Sequence, residues 1–168
     1  MTVKPFVKKE TKSDYEERVI HVNRCAKVVK GGRRFSFSAL IVVGDRNGRV
    51  GYALGKANEV ADAIRKGTEA AKRNAVHITM KGKTIPHEMT YKYDGASIYM
   101  RPASEGTGVI AGGGMRAVLE LSGVRDVLAK SMGSTNPLNI VRATILGLQG
   151  LASRESILEE RGVVVASK

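Results

Sequence analysis

The stretch RVIHVNRCAKVVKGGRRFSFSALIVVGDRNGRVGYAL, residues 18–54, decides how the first half of the chain folds. Arg18 to Val29 is rich in Val and Ile with polar residues interspersed, and it runs into Lys30-Gly31-Gly32-Arg33-Arg34, a turn signal loaded with charge. Phe35, Phe37, Ala39, Ile41 and Val43 then recur at every second position, with Ser36 and Ser38 between the first three. That is the period of a half-buried strand, and it assigns both phenylalanines to the core. Asp45-Arg46-Asn47-Gly48 follows, and Asn-Gly between two such runs signals a hairpin because both central positions need positive φ. Val50, Tyr52 and Leu54 return as a third strand. Cys25 alternates within the first strand and reads as a small buried hydrophobe.

After Gly55 the period changes. Val60, Ile64, Gly67 and Ala71 fall on one helical face, with Asn58 as N-cap and Glu59 and Asp62 in the first turn. Three antiparallel strands with a helix across them make an α+β unit of about sixty residues. Val76 to Pro86 shows little periodicity and marks a boundary. Beyond it, Asp94-Gly95 is the turn of a second hairpin between Thr90–Tyr93 and Ser97–Met100. Pro102 ends that strand, and the glycine-rich stretch Gly106 to Gly114 leads into a helix holding Met115, Val118, Leu119 and Leu121. Val124, Val127 and Leu128 read as a strand. Asn136 caps a helix that opens on Pro137, with Ile140, Val141, Thr144, Ile145 and Leu148 as its apolar stripe. A short helix runs from near Ser153 to Gly162. The fold class is therefore α+β, two small subdomains divided as 1–16 (basic disordered tail), 17–77, 78–152 and 153–168 (helix and tail).

Composition narrows the function. The chain has 168 residues, enough for a core, and 28 Lys and Arg against 16 Asp and Glu, a formal charge of +12. Residues 1–34 alone hold 10 basic and 4 acidic side chains, so a polyanionic partner is expected, contacted mainly by the first half. One cysteine permits no internal disulfide and no zinc site built on cysteine pairs, and a reducing cytoplasm fits. The longest apolar run, Ala39 to Val43, is far too short to span a bilayer, and the N-terminus lacks the apolar stretch of a secretory signal.

Catalytic chemistry finds little support. Gly51, Gly55 and Lys56 sit where a Walker A loop would, but only three residues separate the glycines and Ala57 replaces the Ser or Thr that holds magnesium. Ser104 to Gly114 is glycine-rich ahead of a helix, yet Ala111 stands where a dinucleotide fingerprint needs glycine, leaving phosphate recognition as the alternative. That loop supports a rival reading, a small phosphate- or nucleotide-binding enzyme. A free double-stranded-RNA-binding regulator is another. His21, His77 and His87 are too scattered for a metal site, and no triad is apparent: no catalytic residue, metal or cofactor is expected. Lys27, Lys30, Arg33 and Arg34 surround two glycines that allow close approach to a nucleic-acid backbone. Arg46, Arg49 and Lys56 are second-rank phosphate contacts.

Several blocks together resemble one family. Asn23-Arg24 with Lys27, Lys30-Gly31-Gly32-Arg33 and Phe35-Ser36-Phe37 resembles the opening of the bacterial small-subunit ribosomal protein S-five family. Val42-Val43-Gly44-Asp45, Gly48-Arg49-Val50-Gly51, Gly55-Lys56-Ala57, Pro102 through Ala117-Val118, Gly133-Ser134-Thr135-Asn136-Pro137 and Val141-Arg142-Ala143-Thr144 continue the likeness in collinear order. The resemblance implies an N-terminal fold like a double-stranded-RNA-binding domain and a C-terminal domain with a left-handed β-α-β crossover. It implies 16S rRNA as partner, with Asn23 and Arg24 among the contacts and Lys30, Gly31 and Gly32 at a loop tip near spectinomycin. It also implies that Gly108 and Arg116 meet protein S-four at an interface tied to accuracy. Contact with protein S-eight, a role in subunit assembly, and a share in handling mRNA where it enters the subunit complete what is implied.

Overall fold

The computed structural model describes residues 15–162, so the expected N-terminal tail lies outside the described residues except for Tyr15 and Glu16. The first sheet runs in order β1 (Glu16–Val29), β2 (Gly32–Gly44), β3 (Arg49–Ala57) and β4 (Val76–His77), all antiparallel, with helix α1 (Val60–Arg73) connecting the last two. Helix α1 buries Ala63, Gly67, Thr68 and Ala71 against the sheet. Gly51 and Gly55 belong to strand β3 and not to a loop: a Cβ at either would collide with the α1 backbone, at the Ala71 and Ala63 carbonyls respectively. Their spacing is thus a close-packing signal, not a phosphate loop. The helix begins after Glu59, whose side chain makes no capping bond, one residue later than the expected cap Asn58.

Strand β2 departs from the expected alternation. From Ser38 to Gly44 every residue is buried, because both faces are covered. Ala39, Ile41 and Val43 pack with Ala53, Ala63 and Ala71 under α1, while Leu40 and Val42 join Val50 in a second core on the opposite face. Phe35 is 44% exposed and Phe37 only half-buried, contrary to the core placement, since β3 stops pairing at the Phe37–Ala57 rung and no layer of the described residues covers the strand beyond it. Cys25 is likewise half-buried, its sulfur 4.0 Å from the Ser38 hydroxyl.

The second half forms β5 (Met89–Tyr93), β6 (Ala96–Pro102), β7 (Val109–Ile110), α2 (Gly113–Ser122), β8 (Val127–Gly133), α3 (Pro137–Gln149) and α4 (Arg154–Glu160). Its sheet is ordered β5-β6-β8-β7, and β7-α2-β8 is a β-α-β unit whose two strands are parallel neighbours. Val124, expected in a strand, is a buried loop residue ahead of β8. Asn136 caps α3 by accepting the Leu138 amide at 3.1 Å, and Ser153 caps α4 through the Ser156 amide.

One core joins the two sheets. Leu40, Val42 and Val50 of the first sheet share it with Ile98 and Met100 of β6, Val118 and Leu119 of α2, and Val141 and Leu148 of α3. The layers run α1, first sheet, α2 with α3, second sheet. The segment 76–86 is no loose linker, because Ile78 and Ile85 are both buried in that shared core.

Candidate nucleic-acid interface

Beyond the Phe37–Ala57 rung, among the described residues only β1 and β2 remain paired, and they continue to a two-residue turn at Lys30-Gly31, closed by Val29 opposite Gly32. At about 3.4 Å per residue this two-stranded arm projects roughly 17 Å past the three-stranded body. Gly31 at φ +97° and Gly32 at φ +148° adopt backbone conformations that side-chain-bearing residues avoid, and open space surrounds both. The tip can therefore lie close against another backbone.

Register distributes the charges over the arm. Lys27 lies opposite Arg34, with Asn23 opposite Ser38 and Ser38 opposite Lys56, so Asn23, Lys27, Arg34 and Lys56 share one face. Arg33, opposite Val28, lies on the other face with Arg24, whose guanidinium stacks 3.7 Å from the centre of the Phe35 ring. Lys27, Lys30, Arg33 and Arg34 are exposed, and none enters an ion pair among the described residues. Concentrated cations without counter-charge attract a polyanion and repel one another until it binds.

Arg46 and Arg49 are not brought to this arm. They flank the β2–β3 turn at the far end of β2, roughly 40 Å from the tip by strand length. Arg46 pairs with Glu16 at 2.6 Å, and the Asp45 carboxylate accepts the Asn47 and Arg49 amides at 2.8 and 3.0 Å. The left-handed positions of this turn are Arg46 and Gly48 rather than Asn47 and Gly48, since the Asp45 bonds shape a four-residue turn.

Gly108 and Arg116 lie in the second half. The Gly108 amide donates to the Asp126 carboxylate at 2.9 Å, and its carbonyl accepts the Val127 amide at 3.2 Å. The Asp126 carbonyl in turn accepts the Thr84 hydroxyl at 2.5 Å. A buried carboxylate thus holds the Gly108 amide that a phosphate would need, and Glu105 in the same loop is paired with Lys83. Residues 109–110 of this glycine-rich stretch form β7, and Arg116 projects into solvent from α2. Asp126 was not a sequence candidate: a lone acid between Arg125 and Val127 carries no motif. Among the described residues no group of three His, Cys, Asp or Glu converges as a metal site would.

Fold and site together define a class, a basic α+β protein of two sheets on a shared core that holds a charged hairpin out to solvent. Residues 15–79 match the family described as ribosomal protein S5, N-terminal domain, and residues 91–161 match ribosomal protein S5, C-terminal domain. The small ribosomal subunit protein uS5 of Protochlamydia amoebophila is 57% identical over 156 residues, 93% of each chain. That of Photobacterium profundum is 56% identical over 156 residues, 93% of this chain and 94% of its own. The chain belongs to the ribosomal protein S5 family, a family of ribosomal proteins and not of enzymes.

Proposed function

We propose that the chain is a structural constituent of the small subunit of the cytoplasmic ribosome, binding 16S rRNA through backbone phosphates and shape. The observation that carries this reading is the projecting arm, with Lys27, Lys30, Arg33 and Arg34 exposed and unpaired among the described residues. Asn23 and Lys56 extend its basic face, Arg24 and Arg33 serve the other, and Gly31 and Gly32 admit close approach at the tip. Arg46 and Arg49, at the opposite end of the sheet, serve a different stretch of RNA.

The finer assignments follow from the family. Lys30, Gly31 and Gly32 lie beside the spectinomycin site. Gly108, held by Asp126, and Arg116 on α2 meet protein S-four and influence accuracy. Protein S-eight is a second neighbour, and the chain contributes to subunit assembly and to handling mRNA where it enters. We divide the chain into an RNA-binding unit at 17–77, a C-terminal α/β unit at 78–152, and a terminal helix and tail at 153–168.

Sedimentation of the tagged protein from lysate across a salt series, with crosslinked RNA sequenced from each fraction, tests this. Co-migration with small subunits at high salt, and 16S crosslinks to the Lys30–Arg34 segment, are expected. Free migration at every salt without 16S crosslinks would falsify the reading.

A further inference from the structure

The second sheet has one covered face and one bare face. Met89, Tyr91 and Ile98 face α3, where the lack of a side chain at Gly147 brings the helix down onto them. On the opposite face the register aligns three rungs: Lys92, Ser97 and Met132; Thr90, Tyr99 and Lys130; Arg101, Leu128 and Ile110. No described helix packs across these rungs. Lys92, Arg101 and Lys130 are exposed on three different strands, and none of the four ion pairs among the described residues uses them. Of the three tyrosines on β5 and β6, Tyr91 and Tyr93 pack against the core, whereas Tyr99 lies at the centre of the bare face. Its hydroxyl donates to the Glu88 carboxylate at 3.2 Å, which ties the ring down across β5 and neutralises none of the three cations.

We propose that this face is a second RNA-binding surface, on which a single-stranded segment runs its backbone along Lys92, Lys130 and Arg101 and stacks one base on Tyr99. The inference rests on the RNA-binding reading above, and charge selects the occupant: three cations without carboxylate partners among the described residues surround one tethered aromatic ring. Strand geometry spaces them roughly 12 and 8 Å apart, within reach of one continuous backbone. Aromatic platforms ringed by cations on a sheet bind single strands with little regard to sequence. Ile110, 52% exposed, and Met132, 47% exposed, lie at the apolar rim and would carry the contact if a protein covered the face instead.

The test uses the full chain with Lys27, Lys30, Arg33 and Arg34 all changed to Gln, so that the arm is silent, and a fluorescein-labelled twelve-nucleotide oligouridine as probe. Anisotropy across a salt series should show binding that survives loss of the arm. Adding Lys92→Gln, Arg101→Gln and Lys130→Gln should weaken it at least about tenfold and lower the salt slope by about 2, three phosphates at about 0.7 each. Tyr99→Leu should weaken it about fivefold or more with the slope unchanged, while Tyr99→Phe, which keeps the ring, should bind as the parent does. The proposal is overturned if the arm-silent chain does not bind, if the triple change leaves affinity and slope as they were, or if Tyr99→Leu matches Tyr99→Phe. Loss of a protein neighbour on Ile110→Ala or Met132→Ala, with oligouridine binding absent, would assign the face to protein docking. The arm reading fails by a separate result, full incorporation of the arm-silent chain into subunits at high salt.

Discussion

The Arg46 amide donates to the Leu121 carbonyl across 3.0 Å, fastening the β2–β3 turn of the first sheet to the end of α2 in the second half. The Gly48 amide repeats the contact on the Ser122 carbonyl at 2.9 Å. Around this seam a Cβ on Gly44 would run into the Leu121 carbonyl, and one on Gly123 into the Arg46 carbonyl. With Leu40, Val42 and Val50 in the same core as α2 and α3, neither half buries its apolar surface alone. The two halves should therefore unfold as one cooperative unit. Gly44→Ala forces the seam apart and should cost about 1–3 kcal/mol. Urea unfolding followed by far-ultraviolet circular dichroism, and by amide exchange in each sheet, checks this: a single shared midpoint is expected in the parent, and a second transition would refute the shared core.

Charge position separates the arginines. Arg33 on the arm has no carboxylate partner among the described residues, so Arg33→Ala should weaken rRNA binding and lower the salt slope by about one. Arg46 is already paired with Glu16 and lies at the far end of the sheet, so Arg46→Ala should leave the slope for an RNA fragment that fills only the arm site unchanged. Filter binding of both variants over one salt series measures the difference. Equal slopes in the two would remove the arm from its assigned role.

Much of this architecture was legible because local signals and burial agree. The Asn136-Pro137 cap, the Asp94-Gly95 turn and the antiparallel succession of β1, β2 and β3 follow from side-chain chemistry acting over a few residues. What the sequence hid depends on layers from elsewhere in the chain. β2 reads as half-buried because alternation cannot reveal that α1 covers one face and α2 the other. Phe35 reads as core because periodicity does not say where β3 ends. The arm's charges were legible, but their division over two faces needed the register. Asp126 and Tyr99 had no local signature, since each is defined by a partner distant in sequence or by the bareness of a sheet face.

Asp126 is the test of how Gly108 is held. Its carboxylate is buried and accepts the Gly108 amide, so Asp126→Ala leaves that donor without its partner and should cost about 1–3 kcal/mol. Amide exchange at Gly108 should accelerate more than exchange in α3, which lies outside this hydrogen-bonded cluster. Protection at Gly108 equal to that in the parent would show that the β7–β8 pairing holds the loop by itself.

Phe35 offers a direct contest between periodicity and structure. As a core residue, its truncation to alanine would cost about 3–5 kcal/mol. At 44% exposure on the two-stranded arm, with the Arg24 guanidinium 3.7 Å above the ring, the loss should be about 1 kcal/mol. A double-mutant cycle of Phe35→Ala with Arg24→Ala should return a coupling of about 0.5–1 kcal/mol, the size of an exposed cation–π pair. Thermal unfolding of the four proteins decides the matter, because a core phenylalanine would reveal itself by a loss several times larger than the coupling, whereas a residue of the arm loses little beyond it.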